Sequence, residues 1–347
     1  MSRRRLRLAS YLATMVMTSA VAALVCAPPT VDAASPSPTW AKLKAAAVGA
    51  PAARAQPAMA YDPGDGYVLL FGGDGPSRIH ADTWDFADGL WTQLMPPSHP
   101  SARYGASLVW DAADDYMLLF GGQSSKGGML GDTWAFRAGA WTQLHPTLSP
   151  PARTDYAMTY DAADHEVLLF GGVDFGTGTY YADTWAFSGG QWTQLSPSTS
   201  PSPRAGSEIT YDQADGYIVL FGGTADYSCV CGLGDTWKFS GDAWTQLTQS
   251  VSPDTRYTYA MTFDSALQAV LFFGGWHASG GCGDVTGDTW EFEAGAWMEL
   301  SPTSSPPARS GMGLADDPDL SGAVLFGGSS GTCGAPGPTY RDTRLFG

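Results

Sequence analysis

Basic residues are scarce in this sequence, which has 18 Lys and Arg against 34 Asp and Glu and a formal net charge of −16 at pH 7. So acidic a surface repels the phosphates of nucleic acids and of anionic lipids. We therefore expect neither a nucleic-acid partner nor attachment to an anionic membrane surface. Histidine is also scarce, with five residues. No Ser-His-Asp or metal-carboxylate signature is evident, so we expect no metal and no cofactor.

Long apolar runs are missing as well, with one exception near the N-terminus, from Leu8 to Val25. A basic head precedes this run, and small residues follow it in Val31-Asp32-Ala33. The pattern is typical of a secretory signal peptide over residues 1–33, followed by a linker over 34–39. A retained membrane anchor is the alternative. We expect a secreted, extracytoplasmic protein that has no membrane contact after cleavage.

The rest of the chain contains an internal repeat, whose period is the most informative feature of the sequence. A Gly-Gly pair follows a four-residue apolar run six times, at spacings of 49 to 53 residues, and the pairs begin at Gly72, Gly121, Gly171, Gly222, Gly274 and Gly327. An Asp-Thr pair follows each of them, at Asp82, Asp132, Asp183, Asp235, Asp288 and Asp342. A Trp lies nine residues after the first five of these, at Trp91, Trp141, Trp192, Trp244 and Trp297.

Two further positions recur around each Gly-Gly pair. An Arg precedes the pair by 18 residues, at Arg54, Arg103, Arg153, Arg204, Arg256 and Arg309. An Asp stands midway, at Asp62, Asp111, Asp161, Asp212, Asp264 and Asp317. This Asp, with its small neighbours, suits a tight turn between two strands. The apolar run suits a strand that is buried on both faces, and each unit is interpreted as four short strands.

On these motifs the chain resembles the kelch family, from Trp40 to Gly347. The resemblance implies an all-β, six-bladed β-propeller, with four antiparallel strands in each blade around a central channel. The blades would cover residues 54–94, 103–144, 153–195, 204–247, 256–300 and 309–346.

The sixth blade lacks a fourth strand, because the sequence stops after its third strand at Phe346 and Gly347. Residues Trp40 to Leu43 look like an orphan fourth strand that precedes the first Arg. An open ring would leave unpaired strand edges. We therefore predict that the strand at 40–43 pairs with the third strand of blade six and closes the ring.

Segment length is constant through the repeat except between the second and third strands, where it grows from 8 to 13 residues. Because packing fixes scaffold length while loop length is free to serve recognition, the face that carries these loops is the candidate binding face. Its aromatic and charged residues suit contacts with a protein or a glycan, or else pack the loops against each other. They are Arg78, His80, Asp174, Phe175, Tyr180, Tyr181, Asp226, Tyr227, Trp276, His277 and Tyr340.

Four cysteines lie in the three longest of these loops: Cys229, Cys231, Cys282 and Cys333. An even number in an exported chain indicates disulfide bonds. Three pairings are possible, and we favour one that spans different loops. Zinc binding by these thiols, with His277 nearby, is the alternative, although their spacing matches no standard zinc motif.

The recurrent arginines could form a cationic ring at the channel mouth, but identical recurrence in every blade favours a structural role. Each Arg would bond loop carbonyls or pair with the Asp of Asp-Thr-Trp. Departures from the repeat are more informative. Glu208 replaces a small residue in the innermost strand of blade four, and Asp155 stands where other blades carry Gly, Gln or Thr. These two carboxylates are our candidate site residues in the channel.

The preferred interpretation is a monomeric secreted module that recognises a protein or a glycan without catalysis. Two alternatives stay open, a structural cell-surface protein and a sugar-modifying enzyme at the channel mouth. The enzyme alternative comes from a resemblance to exported six-bladed kelch epimerases, which use a channel carboxylate with arginines. The copper ligands of kelch-type galactose oxidases have no counterpart here. Propellers host all of these functions, so the fold does not decide among them.

Overall fold

The structure is a computed structural model that describes residues 38–44, 49–228, 232–279, 282–331 and 337–347. These residues belong to one compact unit, Ser37–Gly347. They form strands and turns only, and none of them belongs to a helix of the length and apolarity needed to cross a membrane. The predicted signal peptide and Cys229, Cys231 and Cys333 lie outside the described residues. Cys282 begins a strand, but its side chain is also outside them.

The described strands form six antiparallel four-stranded blades, as predicted. The innermost strands are Ala58–Asp62, Ser107–Asp111, Ala157–Asp161, Glu208–Asp212, Ala260–Asp264 and Ser310–Asp317. The second strands are Tyr67–Phe71, Tyr116–Phe120, Glu166–Phe170, Tyr217–Phe221, Ala269–Ser279 and Gly322–Ser329. The third strands are Thr83–Ala87, Thr133–Arg137, Thr184–Ser188, Thr236–Ser240, Cys282–Glu293 and Thr343–Phe346. The outer strands are Leu90–Leu94, Ala140–Leu144, Gln191–Leu195, Ala243–Leu247, Ala296–Leu300 and Trp40–Lys42.

The innermost strands contact one another in sequence around a ring, and the strand of blade six contacts that of blade one. The outer strand of blade six is Trp40–Lys42, which pairs with Thr343–Phe346 so that Trp40 lies opposite Phe346. The predicted closure by the N-terminal strand is therefore confirmed. It removes the free edge that an incomplete sixth blade would leave.

Apolar packing occurs mainly between blades, where six clusters of buried side chains fill the six interfaces. The second strands supply residues to both sides, which explains their continuous apolar sequence. In each interface the outer-strand Trp donates its indole N–H to the Thr of the third strand in the preceding blade. Trp141 donates to Thr83 over 3.0 Å, and Trp40 donates to Thr289 over the same distance. Trp40 thus takes the place of the missing Trp in blade six.

Several blades carry extra strand pairing on the loop face. The short strands Arg103–Tyr104 and Gln123–Ser124 pair in blade two, and Val173–Asp174 and Thr179–Tyr180 pair in blade three. In blade five the second and third strands continue past the Gly-Gly position as one long hairpin, with a register shift between Phe273 and Gly275. Arg256–Tyr257 pairs with the same hairpin. The longer connection of blade five is therefore partly regular strand and not only loop.

The midway Asp of each repeat stabilises the turn after the innermost strand. In blade two, Asp111 Oδ1 accepts hydrogen bonds from the backbone N–H groups of Ala113 and Asp114, at 3.1 and 3.3 Å. The same arrangement recurs at Asp62, Asp161, Asp212 and Asp264. Such a side-chain-to-backbone turn accounts for this Asp without a bound ion.

Candidate functional site

The six recurrent arginines are buried in the blades and paired. Arg153 donates from Nη1 and Nη2 to the two carboxylate oxygens of Asp183 over 2.6 and 2.8 Å, and from Nη1 to the Gly171 carbonyl over 2.8 Å. The other pairs are Arg54–Asp82, Arg103–Asp132, Arg204–Asp235, Arg256–Asp288 and Arg309–Asp342. All six guanidinium side chains are at most 2% exposed. These arginines therefore offer no free cationic ring to a ligand.

The Asp of each pair also explains the Asp-Thr-Trp motif. Asp183 Oδ2 accepts a hydrogen bond of 2.7 Å from the indole N–H of Trp185. Burial raises the pKa of this carboxyl, but the hydrogen bonds and charge of Arg153 outweigh it, so the pKa lies below its ordinary value. In blade six, where Arg344 replaces the Trp, its Nε takes over the same contact with Asp342.

Directly inside the arginines, six backbone segments form a closed belt around the channel mouth. The belt residues lie two positions after each Arg, and each backbone N–H donates to the belt carbonyl of the neighbouring blade over 2.6 to 3.2 Å. All six have positive φ. The belt residues are Gln56, Gly105, Asp155, Gly206, Thr258 and Gly311. Two polar side chains of the belt, Gln56 and Asp155, meet across the mouth.

The Asp155 carboxylate of blade three accepts hydrogen bonds from blades one and four. Its Oδ1 accepts from Gln56 Nε2 of blade one over 2.9 Å and from Thr154 Oγ1 over 3.3 Å. Its Oδ2 accepts from the Tyr227 hydroxyl of blade four over 3.0 Å. Burial raises the pKa of Asp155 to about 6, although these three hydrogen bonds lower it. These contacts cover part of the channel on the loop face with the side chains of Asp155, Gln56 and Tyr227.

Tyr227 is also the centre of an aromatic cluster formed by Phe175, Tyr180, Tyr227 and Tyr257. The ring of Tyr227 lies 5.7 Å from that of Phe175, 6.2 Å from Tyr180 and 5.1 Å from Tyr257. The Tyr180 hydroxyl accepts a hydrogen bond of 2.8 Å from the backbone N–H of Tyr227. The loops of blades three and four are therefore held together beside the start of blade five, and Phe175 remains 45% exposed.

Below the belt, the innermost strands line a channel cavity of about 480 Å³. Glu208 is one of its lining residues. The backbone N–H of Glu208 donates to the Tyr259 hydroxyl of blade five over 3.0 Å. Burial raises the pKa of the Glu208 carboxyl to about 8, and the charge of Asp155 adds to the shift. Among the described residues, no hydrogen-bond or ion-pair partner faces this carboxylate.

A family model for the KLHDC2/KLHL20/DRC7 Kelch-repeats domain matches residues 58–255, which is more than half of the chain. The chain belongs to the Kelch-repeat family. A solved structure described as "Structure of YjhT" shares the fold of this Kelch-repeat protein, with a TM-score of 0.64 and 15% sequence identity. The similarity covers 86% of this chain and 96% of that one. No curated protein matches the chain. Kelch propellers commonly serve as protein-interaction modules.

Nothing in these comparisons supports the sugar-modifying enzyme. The recurrent arginines that this alternative would place in the channel are instead paired with aspartates inside the blades.

The remaining sequence-predicted residues of this Kelch-repeat protein lie apart from each other. Arg78 is exposed, whereas His80 is buried beneath its loop, where burial and the charge of Arg54 lower its pKa. Tyr181 and Tyr340 stack over the scaffold residues Arg153 and Arg309, with ring centres 3.9 and 4.0 Å from the guanidinium carbons. His80 thus does not lie on the exposed face, and the two stacked tyrosines anchor their loops.

Two predicted carboxylates shape their own turns. Asp174 accepts hydrogen bonds from the Gly176 N–H at 2.8 Å and the Thr177 hydroxyl at 3.0 Å. Asp226 accepts a hydrogen bond of 2.7 Å from the Ser228 N–H. In blade five, Trp276 and His277 belong to the long hairpin, and His277 Nε2 lies 3.9 Å from Asp254 Oδ2.

Gln56 and Tyr257 were not among the residues predicted from the sequence. The signal for Gln56 was available, since it occupies the same repeat position as Asp155. The signal for Tyr257 was weaker, because a tyrosine one residue after the recurrent Arg also occurs as Tyr104 in blade two, outside the aromatic cluster.

Proposed function

We propose that this propeller is a recognition module that binds a protein partner through its loop face, centred on the aromatic cluster. The observation that carries the proposal is the cluster itself, in which loops from different blades are held by ring contacts and the Tyr180–Tyr227 hydrogen bond. Rigid, partly exposed aromatics are the residues that dominate binding energy at protein interfaces. A glycan that stacks on the same rings is the competing ligand.

Two further features support a recognition role for this face. The recurrent arginines are paired with aspartates within the scaffold, so the variable loops provide the chemistry that distinguishes one blade from another. The Asp155–Tyr227 hydrogen bond connects the cluster to the belt, so the cluster is fixed to the rigid part of the molecule before a partner arrives. Preorganised side chains lose little entropy on binding.

The test is comparative affinity purification, from the medium and cell surface of the source cells, with wild type, Phe175→Ala and Leu90→Ala. Leu90 is a matched control, because it is 50% exposed but lies on the outer strand of blade one. We expect partners that wild type and Leu90→Ala retain and Phe175→Ala loses, with affinity reduced about tenfold or more when remeasured with the purified partner. The proposal would be contradicted if the partners still bind the Phe175→Ala variant. It would also be contradicted if the protein binds glycans on an array but captures no protein partner.

We also propose that the protein acts outside the cytoplasm after removal of residues 1–33. The support is the basic head, the apolar run and the small residues before position 34. Mass spectrometry of the N-terminus should find Ala34 in the exported protein, and an intact Met1 in the exported fraction would refute cleavage.

A further inference from the structure

The channel cavity has an unusual balance of charge. Three carboxyl groups line it, from Asp155, Glu208 and Asp316. The described residues that line it include no Lys, Arg or His. The rest of the wall is mostly methionine, aromatic and small side chains, with a few hydroxyl groups. A cavity lined by several carboxyls and no basic side chain favours a positively charged ligand.

The three carboxyls are spread along the channel. Asp155 lies in the belt, two residues after the recurrent Arg, whereas Glu208 and Asp316 lie four and seven residues after it. With a rise of about 3.3 Å per residue, the levels of Glu208 and Asp316 are about 10 Å apart. Asp155 and Glu208 thus form one acidic end near the loop face, and Asp316 forms the other. Asp316 Oδ1 accepts hydrogen bonds of 3.1 Å from the backbone and hydroxyl of Ser265.

Ser207 adds an unpartnered polar group to the wall of this cavity. It lines the same cavity beside Glu208 and is 2% exposed. Among the described residues its hydroxyl has no hydrogen-bond partner. A buried hydroxyl without a partner is unfavourable unless something supplies one. A hydrogen-bond donor that enters the cavity would supply the missing partner of this hydroxyl.

We propose that the channel cavity binds a linear aliphatic di- or polyamine, with one ammonium group between Asp155 and Glu208 and another at Asp316. The methylene chain would lie along apolar wall residues such as Met59 and Met261. A linear cation suits these features because its charges are separated along one axis, as the carboxyls are. The proposal is independent of partner binding on the loop face.

The titration of the cavity carboxyls agrees with this arrangement. Burial raises the pKa of Glu208 to about 8 and of Asp155 and Asp316 to about 6. A cation between Asp155 and Glu208 would favour the ionised forms. Amine binding near neutral pH should therefore release a proton from Glu208, and calorimetry in buffers of different ionisation enthalpy measures that release on the wild-type protein.

The main test is isothermal titration calorimetry of the full propeller with octanediamine, octanediol and suberate, which share a chain length and differ in charge. Spermidine serves as a natural polyamine. The variants are Glu208→Gln and Asp316→Asn, with Glu299→Gln as control. Glu299 is exposed on the outer strand of blade five, so its variant removes the same charge far from the cavity. Melting curves without ligand verify that each variant folds.

We expect one diamine per chain, no binding of octanediol or suberate, and proton release in the wild type. Glu208→Gln and Asp316→Asn should each weaken diamine binding about tenfold or more, because each removes a charged hydrogen bond. Glu299→Gln should leave the affinity unchanged. The proposal fails if the diamine does not bind, if octanediol binds equally, or if Glu299→Gln weakens binding as much as Glu208→Gln. An Asp316→Asn variant with wild-type affinity would refute the two-ended arrangement.

Discussion

At the scale of single residues, the repeat is explained by one interlocking contact between blades. The backbone carbonyl of each recurrent Arg accepts a hydrogen bond from the Gly-Gly pair of the preceding blade. In blade three, for example, the Gly172 N–H donates to the Arg204 carbonyl over 2.8 Å. A Cβ on Gly171 would lie 2.7 Å from that same carbonyl oxygen. Glycine at this position is therefore required by the close approach of the next blade as well as by its φ of +70°.

This contact predicts that Gly171→Ala destabilises far more than Gly178→Ala. Both glycines have a φ of +70°, but nothing lies within 4 Å of a Cβ at Gly178. Gly178→Ala should cost about 1 kcal/mol, the backbone penalty of a left-handed conformation. Gly171→Ala should cost about 3 kcal/mol or more, because the clash adds to that penalty. Urea unfolding measures both, and equal losses would show that the interblade contact contributes nothing.

At the scale of strands, the N-terminal strand Trp40–Lys42 behaves as part of the last blade. Trp40 is 1% exposed and packs against Phe273 and Phe346, with ring centres 5.1 and 5.0 Å away. The sequence predicted this closure because the sixth repeat lacks a Trp and an unmatched one stands near the N-terminus. The length of the blade-five hairpin was not predictable, since its Gly-rich segment gives no alternating pattern.

Trp40→Ala should lower the free energy of unfolding by about 3–5 kcal/mol, as expected for a buried aromatic. Trp40→Phe should cost less, because the ring contacts stay while the hydrogen bond to Thr289 is lost. Lys42→Ala, at an exposed position of the same strand, is the control and should change stability by less than about 0.5 kcal/mol. Thermal melting compares the three, and a wild-type melting temperature for Trp40→Ala would disprove the closure.

At the scale of the whole molecule, carboxyl groups with shifted pKa values fall into two populations, one raised and one lowered. Burial raises the pKa of Asp155 and Asp316 to about 6, of Glu166 to about 7 and of Glu208 to about 8. The arginine-paired carboxyls instead have pKa values below the ordinary range, despite their burial. They are Asp82, Asp132, Asp183, Asp235, Asp288 and Asp342.

These populations predict maximal stability near a mildly acidic pH. A group whose pKa is raised in the folded state binds its proton more tightly there, so stability increases as the pH falls from about 8 towards about 5. The arginine-paired groups contribute stability that is complete above about pH 4 and is lost below it. Calorimetric melting from pH 3 to 9 should show this maximum. Glu208→Gln should flatten the decline above pH 7, and a melting temperature that rises steadily from pH 5 to 8.5 would contradict the assignment.

The fold was more predictable than the site, for a physical reason. Scaffold positions such as Arg153 and Gly171 recur, so a single chain contains six copies of the same evidence. The site depends on contacts that occur once and join residues far apart, such as Gln56 with Asp155 and Asp155 with Tyr227. Asp155 and Glu208 stand out as exceptions to the repeat, but the repeat alone does not indicate that segments from three blades meet at one carboxylate. The burial of His80 likewise depends on the conformation of a single loop, which the repeat does not determine.

The pairing of Trp40 with Phe346 also has a consequence for the order in which the molecule forms. The two strands of this pair lie at opposite ends of the propeller, so a contact of very long sequence separation completes the sixth blade. While this pair is open, the first strand and the interface of blades five and six are exposed to water and to other chains. We expect ring closure to be slow, because joining residues so distant in sequence carries a high loop-closure cost.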